Sequence, residues 1–247
     1  MIYPKDISDP AFQLDGRLAL PEDEVHLWLI DLAAVAEGEQ RWQQILSADE
    51  RVRAERFHSS RDRQSFTATR ALLRTILGGY LGSDPGQLIF RYSEKDKPSL
   101  SPGQSENPVE FNVSHSGARS LLAFARGRAL GVDVEQIRGD FDHEAIAQRF
   151  FSEREQNDLA ALAPAERYDG FFRCWTRKEA YIKARGTGLS LPLHEFDVSL
   201  KPGDENALLA TRLDEVDATE WSLREVPAGH GYVAALCVQG HGWKLKS

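Results

Sequence analysis

Charged side chains with the spacing of one helix face occur in segment 174–193 of this 247-residue chain. At about 100° per residue, an arc of about 140° collects an indole, an aliphatic group, one carboxylate and two ammonium groups. These residues are Trp175, Lys178, Glu179, Ile182 and Lys183. Glu179 and Lys183 also have the spacing of an ordinary surface ion pair. The apolar neighbours instead favour a half-buried site, in which the carboxylate and the lysines face a ligand that carries both metal and phosphate.

A second set of acids lies in the motif Gly131-Val-Asp-Val-Glu135. In a strand the two valines face a core, which leaves Asp133 and Glu135 on the opposite face about 6.6 Å apart. Two like charges at this distance are either exposed to solvent or bridged by a cation. Bridging predicts a hard, oxygen-seeking ion, and Mg²⁺ shared with substrate phosphates is its usual form. Both alternatives stay open on this motif alone.

A serine and a histidine are neighbours within residues 110–117. If this segment is a strand, alternate side chains point to opposite faces: Asn112, Ser114 and Ser116 on one, Val113 and His115 on the other. Ser114 and His115 then cannot form a nucleophile–base pair, and no G-x-S-x-G elbow surrounds them, which argues against a serine hydrolase. Small hydroxyl residues that end at Gly117 indicate a loop that holds an anion.

A row of arginines follows the predicted helix 62–81. Arg63, Arg70 and Arg74 lie within about 40° on the helical wheel. The row is either a solvated edge or a phosphate site, since guanidinium groups hold phosphate oxygens in pairs. Upstream, Ser47-Ala-Asp-Glu50 is a capping box that opens a short helix through Arg56, which we interpret as solvated.

The remaining pattern predicts an α/β (α+β) chain whose two halves look alike, helices followed by strands. Segments 120–125 and 130–135 are expected to pair as a hairpin near the middle of the chain. A second capping box, Ser152-Glu-Arg-Glu155, precedes a helix that Pro164 ends. Other expected strands are 25–31, 88–92, 196–200, 208–213, 221–226 and 232–238, and other expected helices are 142–151 and one from about 165 into the segment 174–193.

Composition excludes several classes of protein. The net charge of -8 and pI of about 5.4 argue against a general nucleic-acid binder. Two distant cysteines and seven scattered histidines support neither a disulfide framework nor a zinc site. With no long apolar run and no signal-peptide pattern, a cytoplasmic protein without membrane contact is expected.

Four motifs together resemble the 4'-phosphopantetheinyl transferases of the larger, surfactin-synthetase-activating kind. They are Phe111-Asn-Val-Ser-His-Ser-Gly117, Gly131-Val-Asp-Val-Glu135, Phe150-Phe-Ser-x-x-Glu155, and Trp175-x-x-Lys-Glu-Ala-x-x-Lys183 followed by Gly186-x-Gly-Leu-Ser-Leu-Pro192. The N-terminal third matches more loosely, through Phe57, Arg70, Arg74 and the Lys97-Pro98 turn. Four motifs in this order are far more specific than one acidic pair.

The resemblance implies the 4'-phosphopantetheinyl transferase fold, a monomer of two similar lobes, 1–126 and 127–247, related by a pseudo-twofold axis. Coenzyme A would lie in the cleft between them. Such enzymes move phosphopantetheine to a serine of an acyl, peptidyl or aryl carrier protein of fatty-acid, nonribosomal peptide or polyketide synthesis. They release 3',5'-ADP and require Mg²⁺.

By matching positions, the resemblance also implies roles for individual residues. Asp133, Glu135 and Glu179 would hold the metal, and Lys183 would meet the diphosphate. Ser114 and His115 would bind the 3'-phosphate region, and Lys97 and Arg70 the adenine and phosphate end. Glu179, or a water it orients, is the candidate base for the carrier serine.

Two rival functions share these residues. A coenzyme A or nucleotide-binding module would bind the ligand without adding mass to any carrier. A Mg²⁺-dependent phosphodiesterase would cleave coenzyme A with water in place of the serine.

Overall fold

The computed structural model describes residues 5–9, 12, 14, 16–35, 39–93, 97–104, 108–212 and 218–246. The helices are α1 (Glu39–Ile45), α2 (Ala48–Glu55), α3 (Ser60–Leu81), α4 (His143–Phe150), α5 (Glu153–Ala161) and α6 (Arg167–Arg185). The strands of the first half are β1 (Lys5–Asp6), β2 (Glu24–Asp31), β3 (Phe90–Tyr92), β4 (Pro98–Leu100), β5 (Val109–Ser116) and β6 (Arg119–Arg126). Those of the second half are β7 (Leu130–Gln136), β8 (Phe196–Val198), β9 (Leu208–Thr211), β10 (Trp221–Glu225), β11 (Tyr232–Gln239) and β12 (Lys244–Lys246).

The strands form two principal sheets. One has the order β1-β2-β6-β5, with β12 also beside β2, and the other has the order β10-β11-β7. The small pairs β3-β4 and β8-β9 stand apart from them. Helix α3 packs on the first sheet and α6 on the second, so the described residues form the α+β architecture that the sequence predicts.

The expected hairpin of β6 and β7 is wrong. Strand β6 pairs with β2 on one edge and with β5 on the other, so neither edge is left for β7. The hairpin is formed by β5 and β6, whose turn includes Gly117 with a φ of 57°. Strand β7 instead pairs with β11 in the second sheet.

The two sheets meet where β5 lies beside β7, a contact that we call the seam. Side-chain oxygens of β5 accept hydrogen bonds from backbone N–H groups of β7. In an ordinary β-sheet, backbone carbonyl oxygens of the neighbouring strand accept these bonds. The pairs are Asn112 Oδ1 with Val132 N (2.8 Å), Ser114 Oγ with Val134 N (3.4 Å) and Ser116 Oγ with Gln136 N (3.1 Å). Both partners advance by two residues at each step, so the strands run parallel. Asn112, Ser114 and Ser116 share one face of β5, as the sequence predicts, whereas the contact of this face with β7 is not predicted from the sequence.

A buried ion pair fixes the long helix of the first half. The Glu50 carboxylate accepts hydrogen bonds from the backbone N–H of Ser47 (3.0 Å) and from Nε of Arg74 (2.6 Å). Arg74 also donates to the carbonyl oxygens of Pro85 and Leu88, beyond the end of α3. Both charged side chains are almost fully buried. The interpretation of α2 as a solvated helix is confirmed for most of its residues, but it is wrong for Glu50 and Ala54, which are buried.

The second half repeats this arrangement about 105 positions later. The Glu155 carboxylate accepts hydrogen bonds from the backbone N–H of Ser152 (2.8 Å) and from Nζ of Lys178 (2.7 Å). Lys178 also donates to the carbonyl oxygens of Leu193 and Phe196, beyond the end of α6. Each half thus uses the glutamate of a capping box to hold a cation from the middle of its long helix.

Three apolar clusters form the core. One lies between α3 and the first sheet, one surrounds α6, and the third lies between the two sheets, with Val132, Val134 and Leu236 at its centre. The predicted lobe boundary after residue 126 stays a prediction; β12, from the end of the chain, pairs with β2 across it. Within the described ranges, no helix is long and apolar enough to cross a bilayer.

Replacing Gly131 by alanine tests the close approach of β7 to α6. An added Cβ would lie 2.2 Å from the carbonyl oxygen of Ala180 and 2.4 Å from the backbone nitrogen of Ala184. We expect the free energy of unfolding, measured with urea, to fall by about 1–3 kcal/mol. Gly139→Ala is the matched control, because its Cβ would make an ordinary 3.5 Å contact with Tyr168. Equal stability of Gly131→Ala and the wild type would contradict this packing.

Candidate active site

Asp133 lies at the centre of the seam and is only 3% exposed. Its Oδ1 accepts hydrogen bonds from Oγ of Ser114 (2.8 Å) and from Nζ of Lys183 (2.6 Å). Its Oδ2 is buried and has no hydrogen-bond partner among the described residues. A buried carboxylate oxygen without a partner is costly unless a cation or a donor satisfies it. One oxygen of Asp133 is therefore held by the chain, and the other is available to a ligand.

Two further carboxylates share this region. Oε2 of Glu135 accepts a hydrogen bond from Oγ of Ser116 (2.6 Å). Burial raises the pKa of Glu135, and the Asp133 carboxylate adds to the effect. On α6, burial raises the pKa of Glu179 to about 7, the charges of Asp133 and Glu135 act in the same direction, and Lys183 opposes them. The charges of Asp133 and Glu135 thus disfavour the charged form of Glu179, an effect that a proton or a cation would relieve.

Lys183 supplies positive charge at this point. Burial disfavours its ammonium form, but the Asp133 carboxylate outweighs this effect, so the pKa of Lys183 is raised. Its Nζ also lies 3.1 Å from Oγ of Ser114. The ammonium group of Lys183 therefore connects α6 to both strands of the seam, through Ser114 on β5 and Asp133 on β7.

The donor set fits a hard divalent cation. Carboxylate oxygens are the ligands that Mg²⁺ prefers, and Oδ2 of Asp133 is buried without a partner. Asp133 and Glu135 both lie close enough to Glu179 to raise its pKa, and Asp133 also lies close enough to Glu135 to raise the pKa of that carboxylate. Among the residues that the structure describes, no three His, Cys, Asp or Glu side chains already form a ligand cluster. Instead, the Lys183 ammonium occupies one oxygen of Asp133.

His115 projects from the other face of β5 and lines a cavity of about 710 Å³. Arg53, Arg61 and Arg70 line the same cavity. The structure thus separates His115 from Ser114, which faces β7, as the strand alternation predicts. Ser114 and Ser116 lie within β5 and donate hydrogen bonds to the acids of β7, so the expectation of a loop at these residues is wrong. Anion binding by this segment stays a prediction, and His115, Ser116 and Gly117 line the same cavity as the arginines.

Arg70 is buried against the wall of this cavity, at 8% exposure. Its Nε lies 3.5 Å from Oε1 of Glu50, while its Nη1 is buried without a hydrogen-bond partner in the described part of the chain. The rings of Phe66 and Phe90 lie 5.6 and 5.2 Å from the guanidinium carbon. Burial lowers the pKa of Arg70. A desolvated guanidinium with an unpaired N–H is a strong anchor for an anion that enters the cavity.

Lys97 lies beside the seam. Its Nζ donates to the backbone carbonyl oxygen of Lys183 (2.6 Å), and both residues line a second cavity of about 210 Å³. Pro98 and Val113 line both cavities, so the two spaces adjoin. Lys97 thus lines a cavity that adjoins the arginine-lined one and that also contains Lys183.

Two interpretations from helical spacing are wrong. Lys178 does not face a ligand with Glu179, because it is fully buried against Glu155. Arg74 does not accompany Arg70 in a phosphate site, because it is bound to Glu50. A repeated spacing in the sequence could have revealed these two ion pairs. Each capping-box glutamate, Glu50 or Glu155, precedes a basic residue of the next long helix by about 24 positions. The side chains of Asn112 and Ser116 also hold the seam, a role that spacing did not suggest.

Replacing Lys178 by methionine tests the structural role of this lysine. Removing one partner leaves the Glu155 carboxylate buried without its cation, so we expect the free energy of unfolding to fall by about 3–5 kcal/mol. Urea denaturation is the measurement, and Lys201→Met, at an exposed position, is the matched control. A Lys178→Met protein as stable as the wild type would refute a structural role.

The raised pKa of Glu179 predicts pH-dependent stability in the absence of metal. The folded chain binds this proton more tightly, with a pKa of about 7 against 4.5 when unfolded, so folding loses stability as pH rises through that window. Glu179→Gln removes this titration. In EDTA, the stability of the variant relative to the wild type should increase by about 3 kcal/mol between pH 4.5 and 7. A difference that stays constant with pH, in urea denaturation, would contradict the shift.

Comparison with known proteins connects this geometry to a family. Residues 129–237 match the family described as the 4'-phosphopantetheinyl transferase superfamily, and residues 37–126 match the 4'-phosphopantetheinyl transferase N-terminal family. The chain is 43% identical to 4'-phosphopantetheinyl transferase HetI of Nostoc sp., over 93% of this chain and 94% of the relative. It is 34% identical to 4'-phosphopantetheinyl transferase Sfp of Bacillus subtilis, over 66% of this chain and 70% of that protein.

A search of solved structures finds the crystal structure of Thermotoga maritima holo-[acyl-carrier-protein] synthase. The match covers 45% of this chain and 62% of the synthase chain, with 19% identity and a TM-score of 0.32, and it is too distant to add to the sequence comparison. The chain therefore belongs to the 4'-phosphopantetheinyl transferase superfamily, with Sfp-like relatives along most of its length.

Proposed function

We propose that this protein transfers 4'-phosphopantetheine from coenzyme A to a serine of an acyl or peptidyl carrier protein, giving the holo carrier and 3',5'-ADP. The observation that supports the proposal is Asp133 at the seam, which binds Lys183 through one oxygen and has its other oxygen buried without a partner among the described residues. Glu135 and Glu179 lie near enough for their charges to interact, and a cavity lined by arginines and His115 is close by. The names of the relatives support the same activity.

The cavity of about 710 Å³ suits the nucleotide end of coenzyme A. Its phosphates would meet the arginine side chains and His115, and Arg70 has an unpaired buried N–H for an anion. Guanidinium groups bind phosphate oxygens in pairs, which favours Arg70 over a lysine for this role. Ser114 has a different part in this proposal, because its hydroxyl is bound to Asp133 and not exposed beside His115.

Asp133, Glu135 and Glu179 would hold a magnesium ion, which supplies positive charge to the diphosphate when bound. Lys183 contributes a second positive charge that does not depend on the ion. Its ammonium group would donate hydrogen bonds to the phosphate oxygens on which negative charge develops during the transfer. Ser114 and Ser116 fix the orientation of the Asp133 and Glu135 carboxylates through hydrogen bonds of 2.8 and 2.6 Å.

The transfer forms a bond between the carrier serine Oγ and the β-phosphorus of coenzyme A. The bond from that phosphorus to the bridging oxygen breaks, and 3',5'-ADP leaves with the electron pair. The serine proton needs an acceptor, and Glu179, directly or through a water that it orients, is the candidate base. Monomeric action in the cytoplasm is part of this proposal.

Loading of a carrier protein tests the proposal. Purified protein is incubated with coenzyme A, Mg²⁺ and a panel of apo acyl and peptidyl carriers, and the added phosphopantetheine mass is measured. We expect Asp133→Asn and Glu179→Gln to reduce the rate more than about 100-fold, because loss of even the groups that orient metal ligands costs about 10- to 100-fold. Glu205→Gln, at an exposed position, is the matched control.

Three other outcomes would contradict the proposal. Coenzyme A binding without mass gain on any carrier would indicate a binding module. Cleavage of coenzyme A in the absence of a carrier would indicate a phosphodiesterase. Wild-type rates in Asp133→Asn or Glu179→Gln would remove these acids from the site.

A further inference from the structure

Tyr232 begins β11 and connects the two principal sheets at one end of the seam. Within the second sheet it pairs with Gln136, the last residue of β7. Its hydroxyl oxygen accepts a hydrogen bond at 2.9 Å from the backbone N–H of Ala118, which lies between β5 and β6 of the first sheet. The guanidinium carbon of Arg119, the first residue of β6, lies 5.8 Å from the centre of the Tyr232 ring. One side chain of the second sheet therefore binds the turn of a hairpin in the first sheet.

The turn consists of two residues, Gly117 and Ala118, because Ser116 and Arg119 are the paired residues at the ends of β5 and β6. The carbonyl oxygen of Ala118 accepts the backbone N–H of Leu32 at 2.8 Å, and its N–H donates to the hydroxyl oxygen of Tyr232. Both polar groups of the Ala118 backbone thus have a partner, one from each half of the chain.

The turn lies directly against Tyr232. A Cβ added to Gly117 would lie 2.7 Å from the hydroxyl oxygen of Tyr232 and would also overlap the side-chain amide of Gln136. No side chain fits into a space this small, so the Tyr232 hydroxyl and the Gln136 amide form the surface on which the turn rests.

The same turn forms part of the wall of the arginine-lined cavity. His115, Ser116 and Gly117 are among the described residues that line this cavity, and Tyr232 is not. Ser116 is fixed separately, because its hydroxyl donates to Oε2 of Glu135 at 2.6 Å. Gly117 has no side chain that could fix it, so its position at the wall depends on the backbone contacts of the turn.

We propose that Tyr232 is a positioning residue for the arginine-lined cavity: by accepting the N–H of Ala118, it holds Gly117 in place at the cavity wall. This inference rests on the proposed function, which supplies the ligand, the nucleotide end of coenzyme A. Because Ser116 and Glu135 keep their own hydrogen bond without Tyr232, the effect falls on the binding of the ligand and not on the transfer step.

Hydrogen exchange of the unliganded protein, followed by NMR, tests the contact with the turn without any assay of activity. Tyr232→Phe removes the hydroxyl group and keeps the ring beside Arg119. We expect the amide of Ala118 to exchange about fivefold faster or more, the factor that corresponds to one net hydrogen bond. Tyr168→Phe is the matched control, because it removes a hydroxyl that donates to the backbone carbonyl oxygen of Gly139, and it should leave the exchange of Ala118 unchanged. Equal exchange of Ala118 in Tyr232→Phe and the wild type would overturn the proposal.

Ligand binding and kinetics test the consequence for the cavity. The Kd for 3',5'-ADP, measured by calorimetry, should rise about 3- to 10-fold in Tyr232→Phe and stay within about twofold in Tyr168→Phe. In carrier loading by Tyr232→Phe, the KM for coenzyme A should rise by a similar factor while kcat stays within about twofold. A variant that loses stability but keeps the wild-type Kd would show a purely structural role and would overturn the proposal. A fall in kcat with Kd and KM unchanged would overturn it as well, because the effect would then lie at the acids.

Failure of the proposed function is distinguishable from failure of this inference. If the wild type binds 3',5'-ADP but loads no carrier, the proposed function fails, and the Kd values of the two variants still decide the role of Tyr232. If the wild type does not bind 3',5'-ADP, the assignment of the cavity to coenzyme A fails, and the inference about Tyr232 fails with it even where the amide of Ala118 exchanges faster.

Discussion

The structure depends on the seam, where side chains of β5 bind the backbone of the parallel strand β7. Ser114 and Ser116 each accept a backbone N–H of β7 and donate their own proton to a carboxylate of the same strand. The atoms that join the two sheets are therefore the atoms that orient Asp133 and Glu135. An apolar residue at position 114 would leave the buried N–H of Val134 without this acceptor and would remove one of the two donors to Oδ1 of Asp133. An apolar residue at position 116 would remove the donor to Oε2 of Glu135, so the same side chains serve both the fold and the site.

The two buried ion pairs explain how the long helices present their side chains. On α6, Lys178 and Lys183 are five residues apart and point about 140° away from each other, while Glu179 and Lys183 are separated by only about 40°. Because Glu155 draws Lys178 into the core, Glu179 and Lys183 are left facing the seam. The ion pair thus sets the rotation of α6, and its own charges take no part in the proposed chemistry.

The repeated arrangement also shows why the chemistry lies in one half. Counting back about 105 positions from Asp133 leads to Trp28 on β2. There the indole N–H of Trp28 donates to the hydroxyl of Tyr80 on α3, at 3.0 Å. The same offset leads from Lys183 to Gly78 on α3, so the first half has an aromatic residue at the place of the acid and a glycine at the place of the lysine. The first half instead contributes the arginine-lined cavity, so in the proposed function one half would bind the ligand and the other would carry the groups for transfer.

Local patterns in the sequence determined the elements and the identity of the candidate residues. Strand alternation separates Ser114 from His115, the capping boxes mark the starts of α2 and α5, and the four motifs point to the family, because each of these signals lies within a few residues. Only the tertiary structure decided that β7 joins β11, that Glu50 and Glu155 bind Arg74 and Lys178, and that Lys97 donates to the backbone of Lys183. These contacts join residues about 20 to 100 positions apart, and they depend on which strand edges are free and which charges are buried, neither of which is a property of the local sequence.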